Sequence, residues 1–131
     1  MKRTIIALTL IASAFTGLAH ADRSTSVNLR VTEVLLPVMN CAQRNGETQD
    51  QMGADILAIR GDMETAFGQL YDLGALAKER GVNFKARKAQ FVQKMRAKID
   101  SESWAAPLNT AERTEVVRIF GQMVEDGFEG K

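Results

Sequence analysis

Imidazole is the group that most nucleophilic and metal-assisted chemistry draws on, and this 131-residue chain carries it once, at His20. That single histidine stands in a segment with the grammar of a secretory signal. Lys2 and Arg3 give a positive start, Ile5 to Phe15 form an uncharged apolar run, and Gly17 breaks it. Ala19-His20-Ala21 then places small residues at the two positions a signal peptidase inspects. The apolar run falls short of the roughly 20 residues that cross a bilayer, and the charged Asp22-Arg23 follows at once. The sequence therefore predicts a signal peptide over 1–21, a single domain over 22–131, and delivery to the periplasm. No cysteine opens the predicted mature chain, which argues against a lipoprotein anchor.

Removing 1–21 takes away His20 and leaves no histidine. A Ser-His-Asp or Cys-His nucleophile then has no base, and zinc and haem sites lose their commonest ligand. With one cysteine, Cys41, the chain holds neither an internal disulfide nor a Cys-rich metal site. The reading is a protein without catalytic activity, cofactor or metal. The one enzyme-like pattern, Ile99-x-x-Glu102-Ser103, resembles the helix-end Glu-Ser of lytic transglycosylases, in which the Glu is the catalytic acid. That family's Gly-Leu-Met-Gln element is missing downstream, since Gly121-Gln122-Met123 does not supply it. A carboxylate enzyme acting on peptidoglycan is accordingly the third reading.

Charge is the more informative chemistry. The whole chain holds 17 Lys and Arg against 16 Asp and Glu. Without Lys2 and Arg3 the counts are 15 and 16, a net of −1 that conceals strong segregation. Residues 22–77 carry −4, residues 78–98 carry +7, and residues 99–131 carry −4. Lys85, Arg87, Lys88, Lys94, Arg96 and Lys98 all fall on one short predicted helix. On a helical wheel Lys85 and Arg96 flank one side of its apolar stripe, Arg87, Lys94 and Lys98 flank the other, and Lys88 falls inside it. Such a face suits an acidic protein, or the anionic surface of a membrane or glycan. It also suits a packed helix whose cationic stems cover the core edge while their heads stay in water. Nucleic acid is not the partner, because aromatics do not interleave with the cations and no binding motif is present.

Trp104 and Cys41 complete the candidates. Trp104, in Ser101-Glu102-Ser103-Trp104, reads either as an interface anchor beside the basic helix or as a cover on one end of the core. Cys41 reads either as an intermolecular disulfide, to a partner or to a second copy in a homodimer, or as a buried thiol beside Val34 and Val38.

The elements that must position these residues are helices. Apolar residues recur at helical spacing over 26–44, with Pro37 inside as a kink point. Val27 to Val31 also alternates with period two, leaving a short strand open. Thr48 and Gln51 match a capping box ahead of a long stripe through Met52, Ile56, Ile59, Met63, Phe67, Leu70 and Ala77. Gly61 and Gly68, on the Leu57 face, read as a close helix approach or a break near 60–62. Asn83 caps a third helix over 84–99. Thr110 is read as the cap of a fourth helix ending near Gly127. Leu108-Asn109-Thr110-Ala111-Glu112-Arg113 is similar to the Leu-Thr-x-x-Gln repeat of Spy-type periplasmic chaperones, but it occurs once, lacks the Gln and reads as a helix start.

The fold expected is all-α, a small bundle of about four amphipathic helices. The function expected is a secreted periplasmic binding protein (inhibitor, immunity, exclusion or chaperone-like) that docks on an acidic envelope or periplasmic protein through the basic helix. The second reading is an envelope-surface binder resting that helix on anionic lipid or glycan.

Overall fold

In the computed structural model, which describes residues 23–131, four helices follow one another. They are α1 (Arg23–Arg44), α2 (Gln49–Glu79), α3 (Phe84–Ser101) and α4 (Thr110–Glu129), with a 3-10 turn at Ser103–Ala105 before α4. The described residues contain no strand, so the alternating Val27 to Val31 is part of α1. The predicted signal over 1–21, with His20, lies outside the described residues.

Local capping accounts for the helix starts. Thr48 Oγ1 accepts from the Gln51 amide at 3.2 Å while Gln51 Oε1 accepts from the Thr48 amide at 2.9 Å, so two orphan donors of the first turn are satisfied reciprocally. Asn83 Oδ1 accepts from the Ala86 amide at 3.3 Å. At α4 the structure corrects the sequence reading by one residue. Asn109, not Thr110, is the cap: its Oδ1 accepts from the Glu112 amide at 2.8 Å, and Glu112 Oε1 accepts from the Asn109 amide at 2.9 Å. The earlier start wins because it puts a glutamate at the third helical position, where starting from Thr110 would put Arg113. The far end is corrected too, since α4 runs through Gly127 and stops at Gly130, whose φ of 71° is the left-handed cap.

Helix α2 holds 31 residues, about 46 Å at 1.5 Å per residue, and is unbroken at 60–62. Gly61 has open space where a side chain would stand, and neighbouring Leu57 is 78% exposed. Gly68 faces the Arg23 guanidinium. The close helix approach occurs elsewhere, at Gly74 and Gly127. A Cβ built on Gly74 would lie 1.9 Å from the Val124 carbonyl oxygen, and one on Gly127 would lie 1.9 Å from the Tyr71 carbonyl oxygen. Each glycine thus meets the carbonyl three residues before its counterpart, and the backbones of α2 and α4 touch.

That contact makes α4 the central element. It packs against α1, α2 and α3, whereas α3 rests mainly on α4 and only lightly on α2. Accordingly α4 is apolar around most of its circumference, burying Val116, Val117, Ile119, Phe120, Met123 and Val124. The core between α1, α2 and α4 is filled by Val31 and Val34, by Met63, Phe67, Leu70 and Tyr71, and by those α4 residues. Phe67 and Phe120 meet edge to face at 5.5 Å.

Helix α1 is fastened by three arginine–carboxylate pairs. Arg23 grips Asp72 of α2 through Nε and Nη2, at 2.9 and 3.0 Å. Arg30 grips Asp126 of α4 at 2.7 and 3.0 Å and reaches Glu33 at 2.6 Å. Arg44 holds both oxygens of Glu112 and donates to the Pro107 carbonyl at 2.9 Å. Asp72, Glu112 and Asp126 are all buried, so each depends on its guanidinium partner to offset lost hydration.

Candidate functional site

The basic helix is only half available. Its apolar stripe turns inward, with Phe84, Met95 and Ile99 buried and Phe91 and Val92 packed against the core. The cations on the flank nearest α4 are spent on that contact. Lys88 reaches Glu125 at 2.6 Å and Gln122 at 3.4 Å, and Lys85 reaches Glu129 at 3.3 Å. Arg96 bonds Thr114 at 2.8 Å and Asp100 at 3.2 Å, and Asp100 also receives Arg113 at 3.2 Å. Those two arginines hold the Asp100 carboxyl below its usual range against the opposing effect of desolvation. Lys98 lies 3.6 Å from Glu102.

The other flank points to water. Arg87 and Lys94 are exposed and have no ion-pair partner among the described residues, and the same holds for Lys78 and Arg80 at the end of α2. Every other Arg and Lys of the described residues is within salt-bridge distance of a carboxylate. Sequence counting found the cations but could not divide them. The division depends on which side of α3 meets Glu125 and Glu129.

Trp104 does not stand with this face. It is 8% exposed and belongs to the core cluster, so the exposed-anchor expectation gives way to the core-cover one. The 3-10 turn after α3 folds its indole under the bundle, because Pro107 and Leu108 return toward α1. Cys41 is also buried, 6% exposed, with Asn45 Nδ2 at 3.5 Å from its sulfur. Burial pushes the thiol up and the Glu112 carboxylate adds to this, with Arg44 pulling the other way. Burial beside the α1 apolar face suits packing. Glu102, the residue of the transglycosylase-like pattern, pairs with Lys98.

One concave feature escaped the sequence reading. A cavity of about 220 Å³ opens between the last turns of α1, the first half of α2 and the 104–108 segment. Its walls are mostly apolar, from Val38 and Met39 of α1, Met52, Ile56 and Ile59 of α2, and Leu108. Glu47 and Asp55 also line it. Side-chain hydrogen bonding with Asp55 pushes the Glu47 carboxyl above its ordinary range, with burial adding to the effect. Glu47 Oε1 and Trp104 Nε1, on two residues lining the cavity, are buried without a hydrogen-bond partner. The sequence signal was faint: Met52 and Ile56 continue the α2 stripe past the end of the α4 contact, leaving apolar surface over the loop.

No family model, curated protein or solved structure matches the chain. Among the described residues no helix is long and apolar enough to cross a membrane.

Proposed function

We propose that the protein is a small, non-catalytic binding protein of the periplasm, exported by the signal over 1–21, which docks on an acidic surface of an envelope or periplasmic protein. The docking residues are Lys78, Arg80, Arg87 and Lys94. The observation that carries the reading is the partition of charge. Cations elsewhere in the bundle are matched to carboxylates, and these four are exposed without one among the described residues. Unneutralised surface charge steers encounter and selects partners of opposite sign. The inward turn of the α3 apolar stripe favours a protein over a lipid surface. A helix that rests in a bilayer interface needs its apolar face for the lipid, and here the core occupies it.

The test is crosslinked capture from periplasm with the native protein and with Arg87→Glu/Lys94→Glu. A defined acidic partner should be recovered, with affinity falling about tenfold in the double variant and falling further with salt. Capture that survives both charge reversal and high salt would remove the reading. Co-sedimentation with anionic vesicles in place of protein capture would replace it with the lipid one.

A further inference from the structure

The cavity between α1, α2 and the 104–108 segment takes no part in the proposed docking, and it carries its own chemistry. We infer that it binds a small neutral molecule with an apolar body and one oxygen acceptor, of the ketone, ester or alcohol class. The body would lie among Val38, Met52, Ile56, Ile59 and Leu108, with the oxygen accepting from Trp104 Nε1.

Size permits a ligand. An apolar cavity of about 150 Å³ takes a benzene ring, and this one is about 220 Å³. Its walls are mostly apolar and come from three segments with few polar groups, the usual composition of a small-molecule site. Hydrogen bonding then selects the ligand's functional group. Trp104 is 8% exposed, it lines the cavity, and its Nε1 has no hydrogen-bond partner. Indole N–H is a donor and never an acceptor. The carbonyls that adjoin it in the chain are already engaged. Those of Ser103 and Ala105 accept from backbone amides, those of Ala106 and Leu108 from Arg113, and that of Pro107 from Arg44. A buried donor left unpaired costs free energy, which a bound acceptor oxygen recovers. An ammonium has no lone pair to offer. A carboxylate has, but no Lys or Arg among the described residues lines the cavity to offset its charge. A neutral oxygen meets both conditions.

Trp104 also supplies the assay. It is the single tryptophan of the chain, so its indole N–H gives one resonance in the nitrogen-labelled protein. The purified protein, as its cell processes it, is titrated with 2-heptanone, with the alkene isostere 2-methyl-1-heptene, and with heptanoate. The ketone should move the indole proton downfield and saturably, as a new hydrogen bond does. The alkene should bind without that shift, and heptanoate should bind more weakly than the ketone. Trp104→Phe keeps an aromatic ring and removes the donor. In it the ketone-to-alkene affinity ratio, followed on methyl resonances of the lining residues, should fall about tenfold. The indole readout in the unaltered protein stands whether or not that variant folds. An indole proton unmoved by the ketone up to its solubility would overturn the proposal. So would an equal downfield shift with the alkene, tighter binding of heptanoate than of the ketone, or an unchanged ratio in a folded Trp104→Phe. A shift on raising protein concentration alone would identify a second copy as the occupant and refute the ligand.

Discussion

Alanine placed at Gly74 and at Gly61 makes the same chemical change in the same helix, yet the structure gives the two substitutions opposite signs. Both glycines lie in the interior of α2, where Ala is better than Gly by about 0.8–1 kcal/mol through backbone entropy. At Gly61 nothing lies within 4 Å of the new methyl, so Gly61→Ala should keep that gain and stabilise the protein by about 0.5–1 kcal/mol. At Gly74 the methyl would sit 1.9 Å from the Val124 carbonyl oxygen and 2.7 Å from the Phe128 nitrogen. Ordinary contact begins near 3.4 Å, and the obstructing atoms are backbone, which no rotamer change can remove. Helices α2 and α4 must therefore part locally by about 1 Å or more, loosening the contacts of Phe67, Tyr71, Phe120 and Met123. Gaps of 0.5–1 Å already forfeit a quarter to a half of a dispersion contact. Overpacking a tight interface typically costs about 1–3 kcal/mol, and this site has no flexible neighbour to yield, so the upper end applies. After subtracting the helix gain, Gly74→Ala should destabilise by about 2 kcal/mol. The assay is urea unfolding followed by circular dichroism, comparing midpoints at constant m. Equal stability of the two variants would show that α2 and α4 do not touch through their backbones.

Three further outcomes follow from the polar contacts. Asp126 is 1% exposed and carries the Arg30 fork; Asp126→Ala should cost about 3 kcal/mol, the low end for a broken buried pair, because Glu33 still faces Arg30, and an unchanged unfolding midpoint would contradict this. The Glu112 carboxyl is held below its ordinary range, chiefly by its hydrogen bond from Arg44. Its stabilisation is thus complete above the unfolded carboxyl value and is lost as pH falls through the lower folded one. Glu112→Gln should flatten that acid limb in a pH series of urea midpoints, and an identical limb would refute the linkage. Asn109→Ala should cost about 1 kcal/mol as the loss of an N-cap, whereas Thr110→Ala should stay within about 0.5 kcal/mol; the reverse order in thermal unfolding would restore Thr110 as the cap.

Patterns that act within a few residues were legible before any fold was known. Thr48 and Gln51 had to form a capping box, because both partners lie within one turn. Asn109 and Glu112 obey the same spacing, and counting back three residues from Glu112 would have chosen Asn109 over Thr110. The apolar stripes through Met63, Phe67 and Leu70 and through Val116, Phe120 and Met123 follow from the 3.6-residue period alone. The breadth of the α4 stripe was itself a sign that this helix is wrapped on several sides.

Long-range pairing was not legible. Gly61 and Gly74 are equivalent as sequence, since each is a glycine inside an amphipathic helix, and only the crossing of α2 over α4 makes one indispensable and the other replaceable. The cations of α3 divide for the same reason. The sequence places Lys85, Arg87, Lys88, Lys94, Arg96 and Lys98 on one helix, while the position of Glu125 and Glu129 on α4 consumes Lys85 and Lys88 and leaves Arg87 and Lys94 exposed. Glu47, Asp55 and Trp104 are separated by up to 57 residues and line one cavity solely because the 3-10 turn folds back onto α1 and α2. Helix identity and caps are short-range consequences of backbone hydrogen bonding and could be read from the chain. The unmatched charge, the close backbone contact and the cavity depend on which faces meet, and tertiary packing alone decides that.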